Sequence, residues 1–301
     1  MALTGGMMAV ELAGGLLTGS LALVSDAGHM VTHFFALGLS YFAIRIAARP
    51  PAREQSFGLY RAEILAAFLN GLFLVGVTLY IAYEAVMRFL EPVEIAGREM
   101  LLVAVAGLAV NLLSAALLRG ASHGDLNVRS AFLHMLGDTL SSVAVVGGAG
   151  VILVTGRVQI DPVLSLIIAV VIGWWAFRLL AASVRILLEA TPPGVDLGAL
   201  EEALVTSDPR VCGVHDLHVW QITSGMLTMT AIVEVEGTLT VADATGLQRH
   251  LRRTVHERFG VHHAIFQTEA ATPNAGSAPR RSGSVRGEAP AEARSHEGGQ
   301  G

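Results

Sequence analysis

The chain has 301 residues, 52% hydrophobic and only 15% charged, against about a quarter charged in soluble domains, which excludes an ordinary soluble protein. All 20 basic side chains are arginine and the formal net charge is -5, so the basic surface that nucleic acid needs is missing. The single cysteine, Cys212, excludes an intrachain disulfide framework and a cysteine-rich metal site, leaving histidine and carboxylate for any metal chemistry.

A helix needs about 20 apolar residues to cross a hydrocarbon core of about 30 Å. Leu3 to Leu17 is a short apolar run without the basic leader of a signal peptide, and is read as a membrane helix lacking its first turns. Ser20 to Ile46, Arg61 to Met87, Met100 to Leu118, Ala131 to Thr155 and Pro162 to Leu188 are full spans. The expected fold is an all-α six-helix transmembrane domain over 1–189. Six spans leave both termini on one side. Arg45, Arg49, Arg53, Arg61, Arg119, Arg129, Arg178 and Arg185 fall on the side of the C-terminal domain, and Arg88, Arg98 and Arg157 fall opposite. The positive-inside rule makes that domain cytoplasmic. The protein is thus expected in the cell membrane, multi-pass and embedded in lipid.

From Asp196 the pattern changes. Leu197, Leu200 and Leu204 fit a short helix, and Val211 to Thr223 a strand. Leu227, Met229, Ala231, Val233 and Val235 alternate with Thr228, Thr230, Glu234 and Glu236 as in a half-buried strand, with Ile232 out of phase. Ala244, Leu247, Leu251, Val255 and Phe259 repeat at helical spacing, and His262 to Glu269 is a last strand. The order α-β-β-α-β suits a small ferredoxin-like domain over 190–270. The polar, Gly- and Pro-rich stretch 271–301 is expected to be a disordered tail.

Ionisable groups inside a span are costly and mark function by default. The second span carries Asp26, His29 and His33, and the fifth carries His134 and Asp138. His29 and His33 are four apart, as are His134 and Asp138, so each pair stacks on one helix face. Turned toward each other, the pairs offer four ligand atoms to a tetrahedral divalent ion. The competing reading is two polar patches joined by helix-helix hydrogen bonds. Glu11, Asn70 and Asn111 are deep in other spans and either line a wet cavity or bridge helices, while Glu63 and Glu84 sit near the interface.

Several stretches resemble one family. GGLLTGSLALVSDAGHMVTH, FGLYRAEILAAFLNGLFL, HGDLNVRSAFLHMLGDTLSSV, IDPVLSLIIAVVI and VHDLHVWQITSG are similar, in order and over about residues 9 to 270, to the cation diffusion facilitators, and most to the zinc, cobalt and cadmium exporting branch. The resemblance implies a homodimer that exports divalent metal in exchange for protons, with no prosthetic group, and a transport site of His29, His33, His134 and Asp138. One position departs from the family: His33 stands where aspartate is usual. Three neutral imidazoles and one carboxylate leave a net positive charge on a bound dication in a low-dielectric place, so affinity falls or another carboxylate helps. Asp26 is the candidate acceptor for the His29 ring N–H, or alternatively the N-cap of the second span. A nitrogen-rich site favours zinc or cobalt, with cadmium, nickel and iron as further cargo, over manganese.

Metal binding needs neutral imidazole and ionised carboxylate, so protons and metal compete for one site and the competition couples their movement. In the cytoplasmic domain the resemblance offers His215, His218 and His263 as metal ligands. Strand geometry weighs against the first two sharing an ion, because residues three apart on a regular strand face opposite ways. Arg61 and Glu189 match positions of a junction ion pair. A His-rich loop is absent, His123 and Asp125 being the only candidates between the fourth and fifth spans. A passive metal channel would use the same ligands. A His-box membrane di-metal oxidase would need more histidines than the three in the spans, and no H-E-x-x-H motif supports a zincin.

Overall fold

The computed structural model describes residues 2–50, 52–119 and 126–271, without the side chains of 2, 3, 118, 119, 126–131, 133 and 134. The stretch read as a disordered tail from 272 onward, and the loop residues His123 and Asp125, lie outside the described residues. The chain forms two units, Met1–Leu187 and Leu188–Gly301.

The first unit is helical: α1 Ala2–Thr18, α2 Leu21–Ala47, α3 Arg61–Leu90, α4 Gly97–Arg119, α5 Leu126–Thr155 and α6 Ile160–Leu187. Five of these, α2 to α6, are long and apolar enough to cross a membrane. The 17 residues of α1 reach about 25 Å at the rise of an α-helix, short of the hydrocarbon thickness. Several helices extend a few residues beyond the expected spans, as α4 and α5 do at their N-termini, because apolar runs mark the hydrocarbon zone and not the end of the hydrogen-bond ladder.

The turn between α1 and α2 is set by local chemistry. Gly19 has φ 74, a left-handed conformation that costs other residues a Cβ clash, and a Cβ there would also lie 2.9 Å from the Glu94 carbonyl. Ser20 then caps α2, its hydroxyl accepting from the Leu23 N–H, which satisfies one of the orphan donors of a helix start. Helix α3 packs along α6, α4 along α5, and α2 meets α1, α3, α5 and α6. At Gly71 the missing side chain admits the α6 backbone, since a Cβ would lie 3.4 Å from the Leu180 nitrogen. Close approach at small residues is how membrane helices gain packing without a hydrophobic driving force. Leu23, Met100, Ala104, Val145, Ala149 and Ile152 form the larger apolar cluster, and the outward side chains are apolar too, among them Leu79, Leu140, Val170 and Trp174. An apolar exterior suits lipid.

The second unit runs α7 Leu197–Ser207, β1 Val211–Thr223, β2 Met226–Val235, α8 Val241–Phe259 and β3 Val261–Ala270. The sheet order is β1-β2-β3, with β1 and β2 antiparallel and β2 and β3 parallel. Both helices have side-chain caps: Asp196 accepts from Gly198 and Ala199, and Thr240 from Asp243. One sheet face and the two helices share a core of Leu200, Leu204, Val219, Met229, Val233, Leu247, Leu251, Val255 and Phe266, each fully buried large side chain contributing roughly 1.5–3 kcal/mol. The expected alternation in β2 holds for Met229, Ala231, Val233 and Val235, but Thr228 departs: it is 1% exposed at the point where the β2–β3 register shifts.

Candidate metal centre

His29 and His33 lie one turn apart on α2, and Asp138 on α5 faces them. His29 Nε2 is 3.0 Å from His33 Nε2 and 3.5 Å from Asp138 Oδ1. The ligand atoms of the three lie within 4.8 Å of one another, the one group of three or more metal-ligand residues so gathered among the described residues. In a tetrahedral zinc site with bonds of roughly 2.0–2.2 Å, donor atoms sit about 3.3–3.6 Å apart. The observed separations are close enough for small side-chain adjustments to reach that geometry. The two rings meet edge to face at 82°, which lets adjacent imidazoles point the same nitrogen at one place. His134 is one turn before Asp138 on α5, but its side chain lies outside the described residues.

Asp26 is 3% exposed and lies inside α2. It is not the N-cap, because Ser20 holds that position. Its carboxylate joins α2 to α5, Oδ1 accepting from the Ser141 hydroxyl at 2.5 Å and Oδ2 lying 3.4 Å from that of Ser142. Ser142 in turn accepts from Asn111 Nδ2 at 2.9 Å and lies 3.0 Å from the Asp138 carbonyl. Asn111 therefore bridges α4 and α5. Asn111 Oδ1, Asn70 Oδ1 and Glu11 Oε2 are buried without a hydrogen-bond partner among the described residues. Glu84 pairs with Arg88 one turn later at 2.9 Å.

Asp161 was only part of a motif in the sequence. An acid just before proline at a helix start looks like a cap for its own helix. Here it is 0% exposed and serves α2: Oδ1 accepts from the Ser20 hydroxyl at 2.6 Å and the Ala22 N–H at 3.2 Å, and Oδ2 from the Leu21 N–H at 2.6 Å. Arg88 adds a hydrogen bond to the Gly19 carbonyl. No spacing rule links residues so far apart in sequence.

In the second unit, β1 carries a register irregularity between His215 and His218: His215 pairs with Ile232 and His218 with Thr230. Ile232 and Thr230 share one face of β2, so the irregularity brings both histidines to the same face, correcting the expectation from a regular strand. Opposite Thr228 on β3 is His263. His215 Nε2 is 3.4 Å from Glu234 Oε1 and His218 Nε2 is 3.0 Å from Asp216 Oδ1, so each has a carboxylate neighbour of its own. Arg61 opens α3 in the helical unit, and Glu189, with φ 56, follows the start of the second unit.

Two family models match the chain, the "Cation efflux transmembrane domain" over residues 1–188 and the "Cation efflux protein, cytoplasmic domain" over 192–271. The metal cation efflux system protein CzcD of Cupriavidus metallidurans is 40% identical over 275 residues, covering 90% of this chain and 85% of that protein. The zinc transporter ZitB of Escherichia coli is 39% identical over 267 residues, 88% of this chain and 84% of ZitB. A cadmium, cobalt and zinc/H(+)-K(+) antiporter of Bacillus subtilis is 35% identical over 271 residues, 89% of this chain and 86% of that protein. With half-buried His29 and His33 gathered against buried Asp138 between α2 and α5, and both family models covering nearly all of the described chain, the protein belongs to the cation efflux family.

Proposed function

We propose that the chain is a divalent-metal/proton antiporter that exports zinc, or cobalt, cadmium, nickel or iron, from the cytoplasm. The observation that carries this is the gathering of His29, His33 and Asp138 inside the membrane unit. His134, one turn from Asp138 on α5, completes a four-ligand site. Its donors bind metal only as neutral imidazole and ionised carboxylate, so a proton arriving on the outer side displaces the cation and a cation arriving from the cytoplasm displaces protons. Asp26 supports the site from behind by holding α2 against α5, and remains the candidate acceptor for the His29 ring.

The architecture in this reading is six transmembrane helices, α1 included, over 1–189, a ferredoxin-like cytoplasmic domain over 190–270 and a disordered tail over 271–301. Both termini are cytoplasmic, and a homodimer forms in the cell membrane. The α-β-β-α-β order supports the domain assignment, and the arginine distribution supports the orientation. His215, His218 and His263 are a secondary place for metal.

The test is zinc uptake into inverted vesicles under an imposed pH gradient. Wild-type protein should accumulate zinc against its gradient, and Asp138→Asn should abolish this while eluting as folded protein. Uptake that only runs downhill and ignores the pH gradient would instead indicate a passive channel. Replacing His33 with Asp should alter the ranking of zinc, cobalt, nickel, iron and manganese, since a second carboxylate makes the site harder. An unchanged ranking would remove His33 as the selectivity determinant.

A further inference from the structure

Glu11 stands apart from the three gathered ligand residues, yet it is 2% exposed in the middle of α1. Its Oε2 has no hydrogen-bond partner among the described residues. Its Oε1 occupies the space left by the missing side chain of Gly107: a Cβ there would fall 1.9 Å from Oε1 and 3.1 Å from the carboxyl carbon. Gly107 is one turn before Asn111 on the same face of α4. Asn111 continues through Ser142 to Asp26 and to the Asp138 carbonyl. The α4 surface thus carries Glu11 to within one helical turn of the polar network around the ligands. Among the described residues, no basic side chain pairs with it.

A buried carboxylate without a donor or a cation is expensive. Asp26 differs, because the Ser141 hydroxyl donates to it at 2.5 Å whether or not metal is present. For Glu11 an arriving dication is the compensation at hand. The four proposed ligands are three neutral imidazoles and one carboxylate, so the loaded centre carries surplus positive charge. We propose that Glu11 is the carboxylate that offsets this surplus, acting through the low-dielectric interior without ligating the metal, and so sets the affinity for any divalent cation. The inference rests on the ligand assignment given under the proposed function.

A field acts on charge and not on ligand preference, which gives the test its discriminating power. The measurement is zinc and cobalt affinity of the full-length protein in lipid nanodiscs. Glu11→Gln, equal in shape but uncharged, should weaken both metals alike, on the order of tenfold, as for unit charges about 10 Å apart at an effective dielectric near 20. Glu11→Asp should stay within about threefold, since a unit charge remains in place. Gly107→Ala only pushes the flexible end of a still-charged Glu11 aside, so it should likewise stay within about threefold. Glu11→Met, of similar length and uncharged, should match the glutamine variant and carries the test if Glu11→Gln does not fold. Unchanged affinity in folded Glu11→Gln, or a loss confined to one metal, overturns the proposal. Asp138→Asn in the same assay separates the two readings: if it leaves binding intact, the ligand assignment itself fails; if it abolishes binding while Glu11→Gln does nothing, only the role of Glu11 fails.

Discussion

The carboxylate of Asp161 holds the hydroxyl of Ser20 at 2.6 Å across 141 positions of sequence, so the helix bearing both histidines is anchored at its first turn by α6. Its remaining acceptor capacity goes to the Leu21 and Ala22 N–H groups. A carboxylate at a helix N-terminus also meets the positive end of the helix dipole.

Asp161→Ala should therefore be the most destabilising single change at this end of the helical unit. Hydrogen bonds to charged groups contribute about 1.5–3 kcal/mol each, and three donors lose their partner together. Ser20→Ala should cost about 1 kcal/mol, the usual value of a cap. Thermal unfolding in detergent should rank Asp161→Ala well below Ser20→Ala; equal losses would mean that the carboxylate adds nothing beyond the cap.

Asp26→Asn should weaken metal binding by about 10–100-fold, the range for groups that orient ligands from behind, because α2 and α5 lose the tie that faces His29 and Asp138 toward each other. Ser141→Ala should give a smaller loss in the same direction. Zinc titration of both variants checks this. Wild-type affinity in folded Asp26→Asn would show that α2 and α5 hold their spacing without it.

Much of this was legible from the chain. The i,i+4 spacing on α2 signalled that His29 and His33 share a helix face, and they do meet Asp138 of α5; the cost of ionisable groups in hydrocarbon is what singled these residues out. The α-β-β-α-β order followed from the switch between helical and alternating periods at Asp196. What periodicity does not encode is a partner on another element: nothing in the spacing ties Ser141 to Asp26 or Asp161 to Ser20. The register irregularity of β1 was hidden for the same reason, since the fit of two strands decides it.

Thr228→Val should stabilise the second unit by about 1 kcal/mol. The Thr228 hydroxyl oxygen is buried without a hydrogen-bond partner among the described residues, so an apolar group of equal shape removes a desolvation cost. Chemical denaturation of the full chain, followed by a probe on Trp220, checks the sign. A destabilised variant would point to a partner such as ordered water.

Asp208 is held down to about 2 by hydrogen bonds from the Arg210 side chain, which is bidentate at 2.8 and 2.7 Å. A carboxyl lowered on folding stabilises the fold above its ordinary value of 3.8, and that contribution disappears as pH falls through about 2. The pair is near the surface, so the contribution is at most about 1 kcal/mol. Asp208→Asn should accordingly lower stability slightly at pH 7 and leave it unchanged near pH 2. A difference that persists in acid would assign the effect to packing.

Asp216, with φ 51 beside the irregular pairing of β1, acts as a phase slip in the strand. Val214 and Leu217 are both buried although three residues apart, a spacing that would put one of them in water on an uninterrupted ribbon. Removing Asp216 would bring them to the regular two-residue interval with the same faces inward. Removing a residue within the regular pairing beyond it would turn half the strand inside out. Length variation in this strand is therefore tolerable at one place, beside the two histidines, and the surface they occupy can be redrawn by a single insertion or deletion without disturbing the core beneath.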